Sequence, residues 1–141
     1  MESDRPRIVG RILLTRNALI LLIGLALSSG ARADLAAGVA AYQAGDFASA
    51  LKEFKPLAAK GNADAQVNLG FLYARGQGVA VDYKQAASWY RKAAEQGQAD
   101  AQFNLGSLYY DGLGLARDYQ QAAEWYAKAA DQGQIDAQYN L

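Results

Sequence analysis

Ala65-Gln66-Val67-Asn68-Leu69-Gly70 returns as Ala101-Gln102-Phe103-Asn104-Leu105-Gly106 and begins again as Ala137-Gln138-Tyr139-Asn140-Leu141, 36 residues apart each time. The stretch behind it returns with the same period. Asp82-Tyr83-Lys84-Gln85-Ala86-Ala87-Ser88-Trp89-Tyr90-Arg91-Lys92-Ala93-Ala94 becomes Asp118-Tyr119-Gln120-Gln121-Ala122-Ala123-Glu124-Trp125-Tyr126-Ala127-Lys128-Ala129-Ala130. A weaker copy lies earlier, at Asp46-Phe47-Ala48-Ser49-Ala50-Leu51-Lys52-Glu53-Phe54. A period of this length marks stacked units, none of which can bury its apolar face without a neighbour.

Each unit reads as two helices. Ala65, Leu69, Leu72 and Tyr73 fall at i, i+4, i+7 and i+8, one face of a helix, and Ala101, Leu105, Leu108 and Tyr109 repeat it. Ala86, Trp89, Tyr90, Ala93 and Ala94 form the apolar stripe of a second helix, repeated at Ala122, Trp125, Tyr126, Ala129 and Ala130. Asp82 and Asp118 stand at N-cap positions with Gln85 and Gln121 three residues on, the spacing of a capping box. Gly61, Gly97 and Gly133 follow the second helices, where a left-handed residue is wanted. Gly76-Gln77-Gly78 and Gly112-Leu113-Gly114 break the chain between helices. Gly70 and Gly106 lie inside helices, at a cost of about 1 kcal/mol each relative to alanine. Close approach of a partner helix with small residues, Ala86 and Ala87 or Ala122 and Ala123, is the expected compensation. Trp89 and Trp125 are expected to fill the space between hairpins.

Working outward, the first 33 residues are of another kind. Arginines at 5, 7, 11 and 16 precede the apolar run Ala18–Leu27, which leads through Ser28-Ser29-Gly30 to Ala31-Arg32-Ala33. A basic start, a short apolar run and an Ala-x-Ala site make a secretory signal. The run is too short for the roughly 20 residues that a spanning helix needs. Cleavage after Ala33, a mature repeat domain over 34–141 and a periplasmic or secreted destination are the expectations. Retention as an anchor is the alternative. The units fall at about 34–63, 64–99 and 100–135, with a partial unit at 136–141.

Residues 1–33 carry five arginines against two carboxylates, and the rest of the chain carries nine basic against twelve acidic side chains. The repeat region is therefore mildly acidic and lacks the clustered cations that nucleic acid demands. There is no cysteine, which excludes disulfides, thiolate metal sites and a thiol nucleophile. There is no histidine, the usual general base and the commonest metal ligand.

These residues resemble the Sel1-like branch of the tetratricopeptide repeats. The carriers are Ala65-x-x-x-Leu69-Gly70-x-x-Tyr73, the Gly76-x-Gly78 loop, Asp82-Tyr83-x-x-Ala86 and Trp89-Tyr90-x-x-Ala93-Ala94, with their copies one period on. The resemblance covers nearly all of 34–141. Unit one departs, since Tyr42-Gln43-Ala44-Gly45-Asp46-Phe47 joins its helices by a short turn, as in a plain tetratricopeptide repeat. The resemblance implies an all-α fold, a right-handed α-solenoid of antiparallel helix pairs that serves as a docking surface. With neither cysteine nor histidine in the chain, no enzyme activity, cofactor or metal is expected. The cysteine-rich secreted members of the family carry a disulfide per repeat, so any activity of that branch does not transfer here.

The resemblance also places the first helices along a concave groove. Asn68, Asn104 and Asn140 form a ladder there beside Gln66, Gln102 and Gln138. Amides donate and accept together, which suits the backbone of an extended peptide. Val67, Phe103 and Tyr139 precede them, and Phe71, Ser107 and Tyr110 follow, giving a mixed apolar and amide face. The candidate partner-binding residues are Asn68, Asn104, Gln66, Gln102, Phe71, Phe103 and Tyr110. The competing reading is that the amides only tie adjacent hairpins together. The recurring carboxylates Asp64, Asp100 and Asp136, with Asp82 and Asp118, offer a carboxylate hydrolase as the alternative function. The unmodified repeat start at 137–141 offers another, a piece of a longer array.

Overall fold

A computed structural model describes residues 29–140. The helices run in order α1 Ser29–Gln43, α2 Phe47–Ala59, α3 Ala63–Arg75, α4 Tyr83–Glu95, α5 Ala99–Asp111, α6 Tyr119–Asp131 and α7 Ile135–Asn140. Each helix packs on the one before and the one after. The result is an all-α solenoid of three hairpins, α1–α2, α3–α4 and α5–α6, followed by the short α7. The expected leader lies outside the described residues except at its end, where 29–33 form the opening turn of α1. Among the described residues no helix is long and apolar enough to cross a membrane.

The helix ends follow the sequence signals. Asp46, Asn62, Asp82 and Asp118 cap α2, α3, α4 and α6, each accepting the backbone N–H three residues on. Such caps contribute about 0.5–2 kcal/mol each. The capping boxes are only half formed. The backbone N–H groups of Asp82 and Asp118 already donate to the carbonyls of Tyr73 and Tyr109, at 3.0 and 2.9 Å, so a returning glutamine side chain has nothing left to satisfy.

The core is continuous from unit to unit. Leu35, Val39, Phe54, Leu57, Leu69 and Leu72 bury the seam between the first two hairpins. Val67, Phe71, Tyr90, Leu105 and Leu108 bury the next. Trp89 and Trp125 are half-buried against the core of the preceding unit, as expected. Their outer faces carry the ammonium groups of Lys92 and Lys128, each 4.3 Å from the ring centroid.

The helical glycines answer to the partner-helix backbone at Ala86 and Ala122, as expected, and more closely to an aromatic ring. A Cβ on Gly70 would stand 2.8 Å from the Tyr90 ring and 3.3 Å from the Ala86 carbonyl oxygen; on Gly106 it would stand 2.9 Å from the Tyr126 ring. Ala123 faces solvent and takes no part. Unit one uses the same device, with Gly38 under Phe54, although its sequence match there is weak.

The loop glycines have a second purpose beyond their positive φ. Gly78 lies against the Phe47 and Ala48 backbone, and Gly114 against that of Tyr83 and Lys84. Each Gly-x-Gly loop thus reaches back to the start of the second helix of the preceding unit. Unit one, with no described unit before it, closes with the tight turn through Gly45, at φ +79°.

Candidate functional site

The first-helix face expected to bind a partner is more deeply covered than its sequence suggests. On α3 every residue from Asp64 to Leu72 is buried, because α2, α4 and the next unit enclose the helix. Gln66, Gln102, Asn68, Asn104, Phe71 and Phe103 are all buried, and Tyr110 is half-buried.

The glutamines are committed to the fold. Gln66 Nε2 donates to the Ala58 carbonyl at 3.1 Å, and its Oε1 accepts from Gln96 Nε2 at 2.9 Å. Gln102 repeats this with the Ala94 carbonyl and Gln132, at 3.2 and 2.8 Å. Gln138 makes the first bond of a third set, to the Ala130 carbonyl. Gln66 and Gln102 therefore sit as latches between hairpins, the arrangement of the competing reading. The buried amide is satisfied by a backbone carbonyl on one side and a neighbouring amide on the other, leaving little to offer a ligand.

Asn68 is different. It is 1% exposed, and neither its Oδ1 nor its Nδ2 has a hydrogen-bond partner. An unpaired buried amide costs roughly 1–3 kcal/mol. Asn104, at the same place one unit on, is 4% exposed. The two lie on successive first helices as expected, but below the surface.

What reaches the surface is the edge where the first helices end. Phe71 lies edge-on to Tyr42, with ring centroids 5.9 Å apart, and Tyr42 lies edge-on to Phe47 at 5.3 Å. The Arg75 guanidinium covers Phe71 at 5.0 Å, and the Tyr42 hydroxyl donates to Gln77 Oε1 at 3.2 Å. One unit on, Tyr110 lies edge-on to Tyr119 at 5.0 Å, next to Asp111. Phe103 packs on Tyr126 at 5.5 Å, below this edge. Tyr42, Arg75 and Asp111 were missed in the sequence because they depart from the repeat. Position 75 is basic and its equivalent 111 is acidic, a break in the pattern that was there to be read.

The hydroxyl beneath this edge differs between units. Tyr126 donates to Ser107 Oγ at 3.0 Å, and Ser107 donates to the Phe103 carbonyl at 3.1 Å. Phe71 replaces the serine in the other unit, so the Tyr90 hydroxyl is fully buried with no partner. Burial pushes the Tyr90 hydroxyl well above its ordinary pKa, opposed by nearby Arg75.

The recurring carboxylates are engaged by the fold. Asp82 and Asp118 are caps. Asp64 accepts from Gln98 Nε2 of the following turn, and burial raises its pKa against that bond. Asp100 is raised in the same way, with Gln134 as its partner. Among the described residues no group of carboxylates could hold a metal ion.

Stacked antiparallel hairpins repeating every 36 residues define a helical-repeat protein. The Sel1 repeat matches residues 63–98 and 99–134, more than half of the chain, and the chain belongs to the Sel1-repeat family. Sel1 and related repeats form a fold used generally for protein interaction rather than for catalysis. Two solved structures are similar in sequence as well as fold. A Sel1 repeat protein from Oxalobacter formigenes is 41% identical, with a TM-score of 0.68, over 71% of this chain and 41% of that one. A protective antigen of uropathogenic Escherichia coli strains, displaying an SLR fold, is 40% identical, with a TM-score of 0.72, over 76% of this chain and 24% of that one. This chain thus spans less than half the length of either. The cysteine-rich protein B of Helicobacter pylori, 21% identical with a TM-score of 0.63, shares the fold over 79% of this chain and 95% of that one. Among curated proteins nothing matches.

Proposed function

We propose that this chain is a non-enzymatic scaffold of the bacterial cell envelope, exported by a signal cleaved after Ala33, that binds a protein or peptide partner along its first helices. The carrying observation is the edge formed by Tyr42, Arg75, Tyr110 and Asp111, where aromatic surface and charge are presented side by side by successive units. Aromatic and Arg side chains are the residues that most often anchor interfaces. Phe71 and Phe103 pack beneath that edge, and Asn68 and Asn104 are buried on the same first helices. The mildly acidic repeat region speaks against nucleic acid as partner.

Capture from envelope extract by the immobilised chain tests the reading. One stoichiometric protein partner is expected, lost on combined Arg75→Ala and Tyr110→Ala substitution while circular dichroism stays helical. A partner retained by that variant, or none at all from a folded chain, overturns binding at this edge. Export is checked separately, by the mass of the protein recovered from the periplasmic fraction; a form starting at Asp34 is expected, and one retaining Met1 overturns cleavage.

A further inference from the structure

Arg75 ends α3 and Asp111 ends α5, 36 residues apart, so the same place in two successive units carries opposite charge. Because α3 and α5 are equivalent helices, the two groups lie along one edge of the array. Arg75 is exposed, and its guanidinium is stacked on the Phe71 ring rather than turned to a carboxylate. An exposed guanidinium over an aromatic ring keeps its planar set of N–H donors, which suits a carboxylate. Asp111 Oδ2 is buried, and no described donor reaches it. The neighbouring Arg117 donates instead to the Asp111 main-chain oxygen, at 3.3 Å. Burial raises the Asp111 carboxyl above its ordinary pKa, against the pull of Arg117, so the group is short of donors where it sits. An aromatic pair flanks each charge, Tyr42 with Phe71 and Tyr110 with Tyr119.

We propose that this edge reads an extended peptide by the order of its charges, pairing a carboxylate of the partner with Arg75 and a cationic side chain with Asp111. This rests on the reading of the chain as a peptide-binding scaffold and adds a direction to it. The solenoid has no two-fold axis to confuse the two ends, so a peptide laid in reverse brings like charges together at both positions. Like-charge contact is what excludes a wrong partner.

Panning a displayed library of random twelve-residue peptides against the full chain tests this. Peptides with one acidic and one basic residue, in a fixed order and spacing, are expected to be enriched. With Arg75→Glu the acidic position should turn basic, and with Asp111→Lys the basic position should turn acidic. A synthetic peptide from the first selection should lose affinity about three- to fivefold with each of the milder variants Arg75→Gln and Asp111→Asn, which keep the side-chain size if the reversals do not fold. Enriched peptides without charge order, or with an order that the variants leave unchanged, overturn the charge reading and leave peptide binding standing. No enriched peptide from the folded chain overturns both.

Discussion

Tyr90 and Tyr126 stand at the same position of two repeats, each with its ring against a helical glycine, yet their hydroxyls are not in the same state. That of Tyr126 is hydrogen-bonded to Ser107, while that of Tyr90 is buried unpaired because Phe71 occupies the serine position. The same substitution should therefore have opposite signs. Tyr126→Phe is expected to cost about 1 kcal/mol, the net worth of a hydrogen bond, whereas Tyr90→Phe is expected to be neutral or stabilising by up to about 1 kcal/mol. Urea unfolding of the two variants decides it, and equal losses would show that Tyr90 has a partner after all. Titration gives a second expectation at this scale. Asp64, Asp100 and Asp111 all have carboxyls raised by burial. A raised carboxyl binds its proton more readily folded than unfolded, so stability should rise as pH falls from 7 toward the ordinary Asp range. Asp46 is lowered by Ser49 and opposes this only at pH near and below that range. Thermal melts followed from pH 7 down to the upper edge of the ordinary Asp range should show the midpoint increasing; a steady fall would contradict the burial of these groups.

The elements were legible because a 36-residue period states each helix at least twice. The apolar faces, the Asp caps and the glycines after the second helices could be read from spacing alone. The depth of the first helices could not. Their side chains have ordinary helical spacing, and only the enclosure of α3 between α2 and α4 shows that Gln66 is a latch and that Asn68 is buried. Local pattern says which residues share a face, while burial depends on what the next unit lays over it. The loops were half legible, since Gly76-Gln77-Gly78 announces a turn but not its contact with Phe47 in the preceding unit. That contact makes the loop a stabilising element in its own right. Gly78→Ala and Gly114→Ala combine a positive φ with a Cβ placed 2.7 Å or less from backbone atoms. Each should cost more than the roughly 1 kcal/mol of an ordinary glycine-to-alanine strain. Gly45→Ala has the positive φ but nothing near its Cβ, so a smaller loss is expected there. Equal losses at Gly45 and Gly114 in denaturant unfolding would remove the role assigned to the loop contact.

Stability across the whole array should be uneven. The middle helices α3, α4 and α5 have neighbours on both sides, whereas α7 is six residues long with Ile135 77% and Tyr139 56% exposed. Tyr139 stands where Val67 and Phe103 are buried in earlier units. Amide hydrogen exchange should be slowest in α3 to α5 and fastest in α7, since opening free energy follows the density of buried contacts. Uniform protection to Asn140 would mean that α7 is covered by something, and a concentration-dependent change in that protection would identify a second copy as the cover.

Each seam between hairpins is pinned at both rims. On one rim the loop glycine of a unit is wedged against the helix start of the unit before it; on the other, the Gln66 amide donates to the Ala58 carbonyl and the Gln102 amide to the Ala94 carbonyl, each across a seam. A joint fastened on two opposite rims cannot swing like a page on its spine. Bending is left to small, shared adjustments along the array, and a tensile load has to shear both fastenings of a seam together. Stretched from its ends, this molecule should hold its curvature until a unit gives way whole, so force–extension traces would show discrete steps of unit size rather than a gradual lengthening.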